Sequence, residues 1–239
     1  MKKDNKKALY ENIMASVAKE VKKALNEYDD WTTTTTLDPT KLDEDQSDSD
    51  FVDLGLSVKW AKYNLGAKPS KKAKDCYGNY YAWGETEPKS KYTEYNYKYI
   101  DSMGNMVKYN EKDHQNILTP NDDAATVNCN RPWRMPTKEE CEELMTLQNQ
   151  WVINYDGVTG LNGRVFIGKN GNELFIPAAG YRDGSSDICN DMSAFCLWSS
   201  SLNVEYPYSA YYLFFFDYHN VRILHSNRFF GFSVRPVMD

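Results

Sequence analysis

The chain has 239 residues, 41% of them hydrophobic and 26% charged, with a formal net charge of -6 at pH 7. That content supports one full domain plus an appendage, or two small domains. The acidic balance argues against nucleic-acid binding, which needs a basic face. No apolar run approaches the ~20 residues that span a bilayer, so no membrane insertion is expected.

The first segment, MKKDNKKALYENIMASVAKEVKKALNE, is charged throughout and lacks the apolar stretch of a secretory signal. Leu9, Ile13, Val17, Val21 and Leu25 recur every four residues and predict an amphipathic helix over 6–28. Two roles stay open for it: docking on its own domain, or attachment and homo-oligomerisation. The Thr- and Asp-rich stretch 31–50 has almost nothing to bury and reads as a linker. The predicted division is therefore 1–30, 31–50 and a main domain over 51–239.

In the main domain, FVDLGLSVKWA alternates like a strand or hairpin, and YGNYYAWGE is turn-rich. The carboxylates of Glu85, Asp122 and Asp123 read as solvated loop groups. MPTKEECEELMTLQN is the one good internal helix, with Thr137 as cap and Glu140 completing a capping box. In VFIGKNGNELFIPAAGYR, Asn170-Gly171 marks a hairpin turn between two apolar strands. The C-terminal third reads as further short strands. Without βαβ alternation, the class is α+β and not a Rossmann-type sheet.

Signals for chemistry are sparse. Cys76, Cys129, Cys141, Cys189 and Cys196 are odd in number, scattered and without CxxC. They read as mostly buried thiols, with Cys189–Cys196 the one candidate pair. His114, His219 and His225 show no metal-ligand spacing and read as solvated. No GxSxG, HExxH or phosphate loop occurs, so no catalytic residue, metal or cofactor is expected.

The tail differs. From Trp198 to Phe232 there are twelve Trp, Tyr or Phe residues, and Lys169 is the last lysine of the chain. Strand parity puts Tyr211, Leu213 and Phe215 on one face and Tyr212, Phe214 and Phe216 on the other. Both faces are aromatic, as in a strand buried on both sides. DYHN, HSN and NRFFG, however, mix loop formers with Tyr, His and Phe, a palette suited to a binding loop.

VDLGLSVKWAKYNLGA, GNYYAWGE, DDAATVN, WRMPTKEE, IPAAGYR, LWSSS, AYYLFF and NRFFGFSVRPV together resemble the Fibrobacter succinogenes major paralogous domain family. That family is related to the formylglycine-generating-enzyme-like group of C-type lectin folds. The resemblance covers about 51–237. It implies short twisted antiparallel strands, one or two helices and long irregular loops. The arrangement is also similar to variable proteins of diversity-generating retroelements, whose C-terminal segment is rewritten by adenine-directed mutagenesis and displayed for ligand binding. A randomised AAC codon becomes NNC, which cannot specify Lys, Glu, Gln, Met or Trp. Between Ser199 and Val237 there is no Lys, Gln, Met or Trp, and only one Glu, Glu205.

The resemblance divides the region 198–237. Trp198, Ser199, Ser200, Ala210, Tyr211, Leu213, Phe215, Val221, Arg228, Gly231, Phe232, Val234, Arg235 and Pro236 match the fixed scaffold. Tyr206, Tyr208, Tyr212, Phe214, Phe216, Asp217, Tyr218, His219, Arg222, Leu224, His225, Phe229 and Phe230 fall at variable positions and are the predicted ligand contacts. The implied partner is a protein or glycan on a cell surface, met from a phage tail or a surface assembly after synthesis in the cytoplasm. A constant glycan- or protein-binding module of the same fold is the alternative. Departures limit the carry-over. No cysteine follows Cys196, so oxidase chemistry is not implied. The EPN, QPD and WND motifs of calcium-dependent lectins are absent, and Cys141 stands where many relatives carry Trp.

Overall fold

The computed structural model describes residues 50–129, 132–184, 188–189 and 192–239. The helix expected over 6–28 and nearly all of the linker lie outside them. The described residues belong to one compact unit, Asp48–Asp239.

In chain order the strands are β1 (Phe51–Val52), β2 (Lys59–Ala61), β3 (Tyr80–Tyr81), β4 (Gln148–Val152), β5 (Gly163–Ile167), β6 (Glu173–Pro177), β7 (Ala194–Leu202), β8 (Ser209–Phe216), β9 (Arg222–Asn227), β10 (Phe232–Ser233) and β11 (Val237–Met238). They form three small sheets, ordered β1-β2-β11, β3-β10-β7-β8-β9 and β4-β5-β6. Among the described residues two α-helices, Ala124–Asn128 and Lys138–Met145, complete a mixed α+β unit. Among the described residues no helix is long and apolar enough to cross a membrane.

The expected hairpin near the start forms, with Val52 opposite Trp60. The predicted capping box also forms: Thr137 Oγ1 accepts from the Glu140 N–H (3.2 Å), and Glu140 accepts from the Thr137 N–H (2.8 Å). The expected Asn170-Gly171 hairpin joins β5 to β6. The Gly171 N–H donates to the Gly168 carbonyl, and Gly171 itself sits at φ 85°. That is a three-residue loop with glycine in the left-handed position after the turn. The helix Ala124–Asn128 is the second of the one or two helices that the resemblance implies, at a position the residue pattern does not mark. Asp123 caps it by accepting from the Thr126 N–H (2.9 Å).

Three expectations are corrected. The C-terminal strands are not all short: β7 has nine residues and β8 eight. No glycine or proline interrupts AFCLWSSSL or SAYYLFFF, and the ladder continues, with one register shift between Trp198 and Leu202, across the three serines. Pairing is antiparallel within the sheets except between β10 and β7, which run parallel. Cys189 and Cys196 are both free. Cys196 is buried in the core, whereas Cys189 exchanges backbone hydrogen bonds with Tyr181.

Two core clusters lie on opposite faces of β7 and β8. One gathers Phe195, Leu197, Leu213 and Phe215 with Trp60, Leu144 and Phe166. The other gathers Cys196, Trp198 and Phe232 with Trp83, Tyr97 and Tyr109. Every residue of β7 is buried, as expected for a central strand covered on both sides.

Candidate ligand-binding surface

The register of β8 with its neighbours sorts the tail. Tyr212 lies opposite Trp198 and Leu224, and Phe214 opposite Cys196 and Arg222. Directly opposed residues share a face, so Tyr212, Phe214, Arg222 and Leu224 form one surface, and parity adds Phe216. Leu213, Phe215 and Ile223 occupy the other face, packed in the core with Trp151. Tyr211 shares that parity and lies half-buried beneath the Lys138 ammonium, 5.0 Å from its ring centroid.

The surface is not a free aromatic wall. Tyr212 and Phe214 are half-buried and pack on the core cluster, Tyr212 against Trp198 and Phe232, with the Tyr212–Phe232 centroids 4.7 Å apart. Burial pushes the Tyr212 phenol well above its ordinary range. Phe229 and Phe230 border the same cluster and meet edge to face at 5.0 Å. His225 falls on the opposite side of β9. Its ring stacks on Tyr206 at 5.5 Å, next to Tyr208. The turn from β8 to β9 carries Asp217, Tyr218 and His219, with Tyr218 78% exposed. The thirteen candidates thus occupy three neighbouring patches: the β8–β9 face with Phe229 and Phe230, the Tyr206–His225 edge, and the 217–219 turn.

Two buried arginines hold the loops that carry these patches. Arg164 of β5 donates to the carbonyls of Asp217 (3.0 Å) and His219 (2.8 Å), while its guanidinium covers the Phe215 ring. Arg228 donates to the carbonyls of Pro207 (3.0 Å), Tyr109 (3.2 Å) and Lys108 (3.1 Å) and to the Tyr97 hydroxyl (2.9 Å). It is fully buried among Trp83, Tyr97, Tyr99 and Tyr109. Arg228 belongs to the scaffold set. Arg164 went unrecognised, although an arginine inside the apolar run GRVFI was the available signal.

The loop carboxylates correct the sequence reading: Glu85, Asp122 and Asp123 are all buried. Glu85 accepts from the Lys98 N–H (2.7 Å) and pairs with Lys89 (2.8 Å). Asp122 accepts from the hydroxyls of Tyr99 (2.5 Å) and Tyr109 (2.6 Å) and pairs with Lys98 and Lys108. Burial opposes its charge, but the bonds from Lys108, Tyr109 and Tyr99 outweigh burial and hold it well below the usual carboxylate range. Burial pushes Asp123 up despite the N–H groups of Thr126 and Met135. Each carboxylate is consumed by hydrogen bonds within the fold.

No family model, curated protein or solved structure matches this chain.

Exposure separates the two sets of tail residues. Every residue assigned to the scaffold is buried except Tyr211, which is half-buried. None of the thirteen candidate contacts is buried: Tyr206, Tyr208, Phe216, Tyr218, His219, Arg222, Leu224 and His225 are exposed, and the other five are half-buried. His114, His219 and His225 are also exposed, His225 on a strand and not in a loop. Among the described residues no three His, Cys, Asp or Glu side chains gather as a metal-ligand set.

Proposed function

We propose that this protein is a non-enzymatic ligand-binding protein, presenting a diversified aromatic surface on a C-type lectin-like scaffold. It is read as a variable protein of a diversity-generating retroelement, similar to the Fibrobacter succinogenes major paralogous domain family, with a role in receptor binding such as that of a phage tail tip. The observation that supports this is the exposure split: residues assigned to the scaffold lie inside, and residues assigned to ligand contact lie at or near the surface. Tyr, Phe and His with small polar neighbours suit recognition, since rigid rings give contact area at low entropic cost.

The test is alanine replacement at exposed positions that the core does not need. Tyr206→Ala, Phe216→Ala and Tyr218→Ala should keep the thermal midpoint while each weakens binding to the native ligand, by about 2 kcal/mol at a true hot spot. Unchanged binding in all three overturns the proposal.

One observation favours a second reading. Tyr212 and Phe214 help close a core cluster, and such positions resist free variation. A constant module of the same fold, stacking its aromatic rings on a glycan or packing them on a protein, would need no retroelement. The genome decides between the two. A near-copy of the codons for about residues 198–237, carrying adenines at the variable positions and lying beside a reverse transcriptase, belongs to the first reading alone.

A further inference from the structure

Strand β9 is the edge of the five-stranded sheet, and its backbone is the feature that the aromatic surface leaves unused. The Arg228 N–H donates to the Tyr208 carbonyl (3.1 Å), one step beyond the Ser209–Asn227 pair. Antiparallel pairs alternate between hydrogen-bonded and open. Arg222, Leu224 and Ser226 therefore turn their backbone groups toward β8, and Ile223 and His225 turn theirs outward. Outside the ladder with β8, no backbone bond to the N–H or C=O of either residue occurs among the described residues. The result is two donors and two acceptors at the spacing of an antiparallel ladder.

Exposed edges usually carry protection: lysine, proline, a bulge, or very short length. The opposite edge, β3, is protected by having two residues. β9 has six residues, RILHSN, with no lysine or proline and no register shift against β8. A depression of about 580 Å³ lies at one end, lined in part by Tyr206, Tyr208 and His225. Arg222, exposed at the other end, has no ion pair among the described residues.

We infer that β9 captures an extended polypeptide segment of the ligand as an added strand. The inference rests on the binding role proposed above and narrows the partner to a protein. Backbone bonds to Ile223 and His225 hold the segment. An acidic side chain on it meets Arg222, and a ring or aliphatic group enters the depression beside Tyr206. A second copy of the chain fits less well. Apart from Leu224 and the half-buried Ile223, β9 offers Arg, His, Ser and Asn, whereas stable homodimer interfaces are apolar.

The probe is a display library of random linear peptides selected on the full-length chain. The selected peptides should slow amide exchange at Ile223 and His225. His225→Pro deletes one outward N–H, a change edge strands tolerate, and should weaken peptide binding about tenfold or more relative to His225→Ala. The Ala variant controls for the lost ring. The exchange measurement on the unmodified protein stands even if the proline variant fails to fold. Equal binding by the two variants, or unprotected amides under bound peptide, overturns strand addition. If binding then still falls with Phe216→Ala and Tyr218→Ala, the aromatic surface survives without β9. A library that yields no binder, or a dimer that His225→Pro dissociates, also overturns the inference.

Discussion

Arg228 illustrates how one side chain supports a loop it does not belong to. Its guanidinium bridges Lys108, Tyr109 and Pro207 while stacked among aromatic rings, so it fixes the segment between Tyr206 and Tyr208. Arg228→Met should leave three carbonyls unpaired and cost about 3 kcal/mol or more in urea unfolding. Asp122 makes a different prediction, in pH. Its folded-state pKa is depressed below the unfolded value of about 3.9. The stability it contributes is fully present above that value and is lost as the pH falls through the lower, folded one. Asp122→Asn should therefore be less stable at neutral pH, with a flatter acid limb than the parent. Asp123 is shifted upward and acts in the opposite sense, so the difference between parent and variant is the informative quantity. Urea midpoints at pH values of about 7 and about 3 would measure it.

At the level of elements, two local devices set the geometry around the site. The capping box starts the helix Lys138–Met145, which places Lys138 over Tyr211 on the covered side of β8. Thr137→Ala should cost about 1 kcal/mol by removing a partner of a helix-end N–H. The second device is Gly163, where β5 lies close to β6. A Cβ there would sit 2.3 Å from the Ile176 carbonyl oxygen and 2.7 Å from the Phe175 ring. Gly163→Ala should push the strands apart, costing about 1–3 kcal/mol in thermal or urea unfolding. Because Arg164 follows directly and reaches the 217–219 turn, the same variant should loosen that turn, seen as faster amide exchange at His219, whose N–H donates to the Phe216 carbonyl.

At the scale of the whole unit, the end of the chain closes the fold. β11 pairs with β2, and Arg134 exchanges backbone bonds with Val237 while its side chain meets Glu140 and Asp239. Two residues earlier, Arg235 donates to the carbonyls of Ala61, Lys62 and Phe175 and to Asn64. Burial, the largest influence on that guanidinium, pulls its pKa down to about 9. It ties the first sheet to the third. Removing residues 237–239 deletes β11 and buried Val237 and should lower the midpoint of a calorimetric scan by about 5–10 °C.

Much of this was legible from local patterns. The capping box, the first hairpin, the position of the Asn-Gly hairpin and the parity that separates Leu213 and Phe215 from Tyr212 and Phe214 depend on neighbours a few residues away, so sequence alone determined them. The opposite side of β8 was not decided locally. An aromatic residue at Tyr212 or Phe214 reads the same whether its face meets solvent or a second core layer. Only the return of β10, bringing Phe232 beside Trp198 and Tyr212, makes that face half-buried. The carboxylates of Glu85, Asp122 and Asp123 were misread for the same reason. Their partners include Tyr99, Tyr109 and Met135, groups from other turns whose approach no local pattern encodes. Short-range hydrogen bonding and side-chain alternation are written in adjacent residues, whereas desolvation depends on what the rest of the chain packs against them.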